Sequence, residues 1–188
     1  YILRKKQCLT RNYQKVIYTA LCGLFIAAMA ILLDSRIFGS GKEIMVSTLF
    51  TEQKYLDWYV PILRVIGPII SFSTGVSGGI FAPSLSAGAS FGAVFAGCFH
   101  FSIPETNLLI LCGMTGFLTS ITRSPFTSSI LVLEMTNSHN VIFYIMLTAL
   151  VSNLIATVVS RHSFYDHLKV QYINEIHKTE KQQRETLV

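Results

Sequence analysis

Apolar and polar residues follow one another in long blocks, and the blocks predict helices. Val16 to Leu33 (VIYTALCGLFIAAMAILL) is an uncharged run of about 18 residues, the length that carries a helix across a bilayer. A polar, basic lead-in over 1–15 precedes it, with Arg4, Lys5, Lys6, Arg11 and Lys15, and Asp34, Ser35 and Arg36 close it. Gly39 and Gly41, in FGSGKE, predict a turn before a short helix from Ile44 to Phe50. Thr51 to Asp57 is polar, and Trp58 with Tyr59 has the character of an interfacial aromatic pair. Tyr59 to Ser73 is apolar apart from Arg64, with Pro61 and Pro68 inside it. Ser84 to Phe101 predicts the next helix, in which Gly88 and Gly92 are spaced for close helix–helix approach beside Ala89 and Ala93. Ser102 to Asn107, with Pro104 and Glu105, reads as a loop, and Leu108 to Ile121 as a helix containing Gly113 and Gly116. Ser124 is suited to an N-cap and Pro125 to a first helical position, opening a helix to Met135. After a turn at Asn137 to Asn140, Val141 to Val159 forms a long apolar span that holds Asn153. Ser160, Arg161 and His162 close it, and Ser163 to Lys169 (SFYDHLK) opens a last helix into a charged tail over 171–188.

Composition sets the class. The 188 residues are 51% hydrophobic and 13% charged. Soluble domains carry about 25% charged residues, so the chain reads as an all-α, polytopic membrane protein. Lysine and arginine outnumber acids 15 to 10 and sit mostly near the two ends. That places both ends on the cytoplasmic side, against anionic lipid head groups rather than nucleic acid, for which no motif is present. Cys8, Cys22, Cys98 and Cys112 are scattered without a C-x-x-C pair, and read as buried small hydrophobes, neither a disulfide frame nor a metal site. His100 has no metal partner in the pattern, and no cofactor is expected. The Gly41-Lys42 pair fails as a phosphate loop, because Arg36 and Glu43 stand where glycine and a hydroxyl residue are needed. The first residue is Tyr1, and the first apolar run starts too late and runs too long for a cleavable signal, so the chain is expected to be a piece of a longer polypeptide.

Ser73 to Pro83 (STGVSGGIFAP) carries the candidate chemistry. Gly75, Gly78 and Gly79 break an apolar run, and a helix pattern restarts behind them. At membrane depth, broken backbone is tolerated only against protein or a water-filled cavity. A helix that starts there aims bare N–H groups and a partial positive charge forward, which suits an anion. Ile80 and Phe81 are the expected backbone donors. The other readings are a glycine-mediated helix contact or a simple re-entrant turn. Arg64 is read as snorkelling to the interface or holding a structural hydrogen bond. Glu134 is read as a capping or interfacial residue rather than a proton carrier.

With Gly78-Gly79-Ile80-Phe81-Ala82-Pro83 on the page, the chain resembles the CLC family of chloride channels and chloride/proton antiporters, whose G-x-F-x-P signature opens an anion-binding helix. Gly113-Met114-Thr115-Gly116, Thr122-Arg123-Ser124-Pro125 and Leu131-Val132-Leu133-Glu134-Met135-Thr136 are similar to that family's later segments, in the same order. Phe164-Tyr165 falls where the family places its anion-coordinating tyrosine. The resemblance covers roughly 15 to 170 and matches only the second of the fold's two inverted halves. It implies a second inverted-repeat half over 16–170 with broken, re-entrant helices. It implies chloride held by the N–H groups of Ile80 and Phe81 and the hydroxyl of Tyr165, with Gly78, Gly79, Ala82 and Pro83 as support. It also implies a missing N-terminal half as partner and a homodimer with one pathway per subunit, using the helices around Pro125 to Val159. The family's gating glutamate, serine ligand and proton-admitting glutamate belong to the absent half and have no counterpart here. The other class of reading is a truncated, non-transporting membrane scaffold of the same fold.

Overall fold

The computed structural model describes residues 12–32, 39–51, 54, 56–74, 78–160, 165, 166, 169, 170, 173 and 176. Every regular element among them is helical: α1 (Asn12–Leu32), α2 (Lys42–Phe50), α3 (Tyr59–Ser73), α4 (Phe81–Phe99), α5 (Ile103–Thr122), α6 (Pro125–Thr136), a 3₁₀ turn (His139–Val141) and α7 (Ile142–Val159). Phe81–Phe99 and His139–Val159 are long and apolar enough to span a bilayer.

Helices α4 and α5 form the centre, and glycine sets their spacing. A Cβ on Gly88 would stand 2.8 Å from the Met114 Cα, and one on Gly92 would stand 2.6 Å from the Leu109 carbonyl oxygen. A Cβ on Gly113 would collide with the Gly88 carbonyl. The expected small-residue contact is therefore a backbone-to-backbone contact, and Gly113 is its opposite side. Around it, Leu85, Ala89, Ile110, Met114, Val132 and Ile145 make one buried core drawn from α4, α5, α6 and α7. Two hydroxyls inside this core return to their own helices: Ser90 Oγ donates to the Ser86 carbonyl at 2.7 Å and Thr115 Oγ1 to the Leu111 carbonyl at 2.9 Å. Such bonds let polar side chains sit in an apolar medium without orphaned donors. Ser152 Oγ instead crosses from α7 to the Gly116 carbonyl of α5 at 2.7 Å.

Gly39 and Gly41 make the expected turn ahead of α2, at φ 88° and 78°. Gly41 is buried, and a Cβ there would collide with Ser86 of α4. The turn thus packs the start of α2 directly onto the central helix.

Three expectations change. The loop over Ser102 to Asn107 is instead the first turn of α5, which starts at Ile103. The Glu105 carboxylate accepts from the Ser102 backbone N–H at 3.0 Å and from its hydroxyl at 2.7 Å, and Pro104 tolerates a first turn because no helical donor is needed there. The cysteines are not uniformly buried: Cys98 is exposed, Cys22 half-buried, and Cys112 half-buried against Thr148 of α7; Cys8 lies outside the described residues. Arg64 does not snorkel; it is 3% exposed, inside the fold.

Candidate functional site

The N-terminus of α4 begins where the glycine break ends. Ile80 is its N-cap, with φ −94° and ψ −28°, and Phe81 is its first residue. The Ile80 carbonyl accepts from the Ser84 N–H at 3.0 Å and from the Ser84 hydroxyl at 2.6 Å. Pro83 occupies the third helical position and has no N–H. The donors left without an intrahelical acceptor are therefore those of Ile80, Phe81 and Ala82. Proline concentrates the helix's open donors on the residues that face forward, and the helix dipole adds partial positive charge at the same end.

This helix end opens on a cavity of about 980 Å³. Ile80, Pro83 and Ser84 line it from α4; Arg64, Pro68 and Phe72 from α3; Phe117 and Ser120 from α5; Thr148, Ser152 and Ile155 from α7. Arg123 completes the wall, and among the described residues no carboxylate lines it. Two guanidinium groups and the α4 N-terminus therefore meet the C-terminal turns of α5 and α7 over a mainly apolar surface.

Arg64 Nη1 donates to the Gly39 carbonyl at 3.1 Å, which is the structural hydrogen bond foreseen as one of its two roles. A Cβ on Gly41 would stand 2.9 Å from the same nitrogen, so that glycine also makes room for the guanidinium. Arg123 ends α5 in the left-handed region, at φ 60°. Its Nη1 donates to Thr157 Oγ1 at 2.8 Å and to the Asn153 carbonyl at 3.4 Å. Its Nη2 donates to the Ser160 carbonyl at 2.7 Å and to the Ala156 carbonyl. These oxygens belong to the last two turns of α7, where the helix dipole favours a cation, and the Ala156 carbonyl also accepts the Ser160 N–H at 3.0 Å. The T-R-S-P motif was legible as a turn, but this clamp was not, because its partners lie 30 to 37 positions downstream.

Of the expected anion-binding residues, Ile80 lines the cavity, while Phe81 is 43% exposed and Tyr165 39% exposed, the latter on a helical turn outside the lining. Gly78 and Gly79 are exposed ahead of the helix; Gly78 packs by the Phe72 ring, and a Cβ on Gly79 would meet nothing within 4 Å. Gly75 and Phe164 lie outside the described residues. Glu134 is exposed on α6, away from the cavity. His100 is the exposed, left-handed cap of α4, and no cluster of metal ligands occurs among the described residues.

Fold and cavity describe an all-α, polytopic membrane protein with a cavity at a helix N-terminus. The chain belongs to the voltage gated chloride channel family, whose model matches residues 2–157. That family comprises integral membrane chloride-transport proteins, the CLC proteins of the resemblance. The chain is 34% identical over 111 residues to the H(+)/Cl(-) exchange transporter ClcA of Citrobacter koseri, covering 57% of this chain and 24% of that protein. It is 32% identical over 109 residues to ClcA of Vibrio campbellii, covering 56% and 23%. To ClcA of Vibrio cholerae (El Tor Inaba) it is 30% identical over 125 residues, covering 64% and 25%. The chain thus spans about a quarter of the length of these relatives.

Proposed function

We propose that this chain carries the second half of a chloride transport unit. In this reading the N–H groups of Ile80 and Phe81 and the hydroxyl of Tyr165 hold a chloride ion, and an N-terminal half of the same fold completes the site. The observation that carries it is the α4 N-terminus: donors at Ile80 and Phe81 without an intrahelical acceptor, with Ile80 on the wall of a cavity whose charged lining residues are Arg64 and Arg123. Neutral donors suit transport, because they hold an anion without trapping it as a full contact ion pair would. The relatives' names speak of proton/chloride exchange, so coupled exchange is the favoured mode, with proton handling supplied by the other half.

Residues 16–170 form the membrane unit in this reading, with 1–15 and 171–188 on the cytoplasmic side. The outward faces of α6 and α7 suit a homodimer contact: Phe126 is 60%, Phe143 69% and Leu154 66% exposed. Bilayer lipid covers the remaining apolar surface.

Tyr165→Phe and Phe81→Ala in the complete protein test the site. Tyr165→Phe removes one donor to an anion and is expected to weaken chloride affinity about tenfold, the scale of one charge-assisted hydrogen bond. Phe81→Ala keeps the backbone donor and is expected to change affinity far less. Unchanged affinity and flux in Tyr165→Phe would remove the tyrosine from the site. A complete protein that binds and moves no chloride at all would favour the non-transporting scaffold.

A further inference from the structure

We infer that Ser84 is a positioning residue for the anion donor at Phe81, acting through the Ile80–Phe81 peptide; this rests on the chloride site proposed above. The Ile80 carbonyl and the Phe81 N–H belong to one planar unit, and in a trans peptide they point in opposite directions. The carbonyl is held by two donors from one residue. The Ser84 backbone N–H reaches it at 3.0 Å and the Ser84 hydroxyl at 2.6 Å. Holding the oxygen back against the helix turns the Phe81 N–H forward, to the side where the helix supplies no acceptor.

The hydroxyl also acts on the strength of that donor. A carbonyl that accepts hydrogen bonds draws electron density from its own amide, and bonds linked through one peptide strengthen one another by on the order of 10–30%. The setting favours the effect. Ser84 is 3% exposed and lines the same cavity wall as Ile80. Little water competes for its hydroxyl there, and a buried hydroxyl that gave up the Ile80 carbonyl would lose its partner.

Serine hydroxyls that return to the carbonyl four positions back recur in this fold, at Ser90 and Ser129. What separates Ser84 is the place of its acceptor. The Ser86 carbonyl, held by Ser90, belongs to a peptide whose N–H lies inside α4 and takes part in the helix ladder. The Pro125 carbonyl, held by Ser129, lies at the start of α6, and neither Pro125 nor Phe126 lines the cavity. The Ile80 carbonyl belongs to the first peptide of α4, whose N–H is left over beside the cavity wall. The same bond is thus internal packing at Ser90 and a lever on the ion at Ser84.

The test uses the complete protein, with chloride affinity read by calorimetry in detergent. The Ile80–Phe81 peptide is read by solid-state NMR, with isotope labels on isoleucine carbonyl carbons and phenylalanine nitrogens and assignment by loss of the signal in Ile80→Val. Ser84→Ala removes the hydroxyl bond and leaves the backbone one. It is expected to shift the Ile80 carbonyl carbon upfield and to weaken chloride binding about threefold. Ser84→Thr keeps the hydroxyl and is expected to restore both readings. Ser90→Ala, the same deletion further along α4, is expected to leave both unchanged. Ser84→Cys, a weak donor of similar size, carries the test if Ser84→Ala does not fold. Unchanged affinity in Ser84→Ala, an equal loss in Ser90→Ala, or no rescue by Ser84→Thr would overturn the positioning role. An Ile80 signal that moves toward its Ser84→Ala position when chloride is added would overturn it too, since the hydroxyl would then be turning to the ion itself. In the unaltered protein, chloride that binds without moving the Phe81 nitrogen signal would refute the α4 site and the role of Ser84 together. A moved nitrogen signal with unchanged affinity in Ser84→Ala would refute Ser84 alone.

Discussion

At the scale of single residues, two glycines separate backbone need from functional need. Gly41 sits at φ 78° with Ser86 and Arg64 pressed against it, so Gly41→Ala meets both left-handed strain and a collision. The left-handed term alone costs about 1–2 kcal/mol, and a lowered thermal midpoint in detergent would show the loss. Gly79 has no such demand in this chain: its φ is not in the left-handed region and a Cβ there meets nothing within 4 Å. Gly79→Ala is therefore expected to fold with an unchanged midpoint yet to lower chloride affinity, if the open donors of α4 lie beside the ion. Chloride calorimetry on the folded variant decides this, and unchanged affinity would mean that the glycine serves chain entry rather than the ion. Arg64 shows where residue-level reading stops. An arginine in an apolar run announces a special role, but the choice between interface and interior depends on the Gly39 carbonyl, 25 positions away.

At the scale of elements, the pair α4–α5 is held by contacts that only glycine allows. Gly88→Ala and Gly113→Ala each place a methyl group against the partner backbone, an overpacking of about 1–3 kcal/mol, expected as a lower melting midpoint and earlier loss of monodispersity in detergent. Equal stability of either variant would contradict the close approach. The start of α5 is a milder case. Glu105→Ala removes both acceptor contacts to Ser102 and is expected to cost about 1 kcal/mol, read as faster hydrogen exchange in the first turn. Much of this level was legible. The apolar blocks gave the helices, Ser124-Pro125 gave the start of α6, and the spacing of Gly88 and Gly92 gave a packing face. The start of α5 was misread because Pro104 and Glu105 look like loop residues when taken singly, whereas Ser102 and Glu105 together form a helix start. The partner of the Gly88 face, and the Arg123 clamp, depend on contacts between distant segments, which no local pattern encodes.

At the scale of the whole molecule, the N-terminal end of α4 opens on the cavity where the proposed anion site stands. The cavity opens between α3, α4, α5 and α7, and Phe143, Leu154 and Val158 leave broad apolar faces on α7. The chain belongs to the voltage gated chloride channel family and spans about a quarter of the length of its exchanger relatives, and in the proposed reading another half of the same fold faces the α4 end. Residue motifs made the α4 end legible from sequence, since G-G-I-F-A-P states a helix start and its close approach. The cavity itself was not legible, because it is a property of how four helices lean together.

The most direct measurement is anion flux from liposomes, with chloride and pH electrodes read together, for this chain alone and for this chain combined with a matching first half. No flux from the chain alone, and chloride movement with opposed proton movement in the combined sample, is the predicted result. Chloride flux from this chain alone would contradict the half-site, and absence of flux in both samples would contradict chloride transport by this unit.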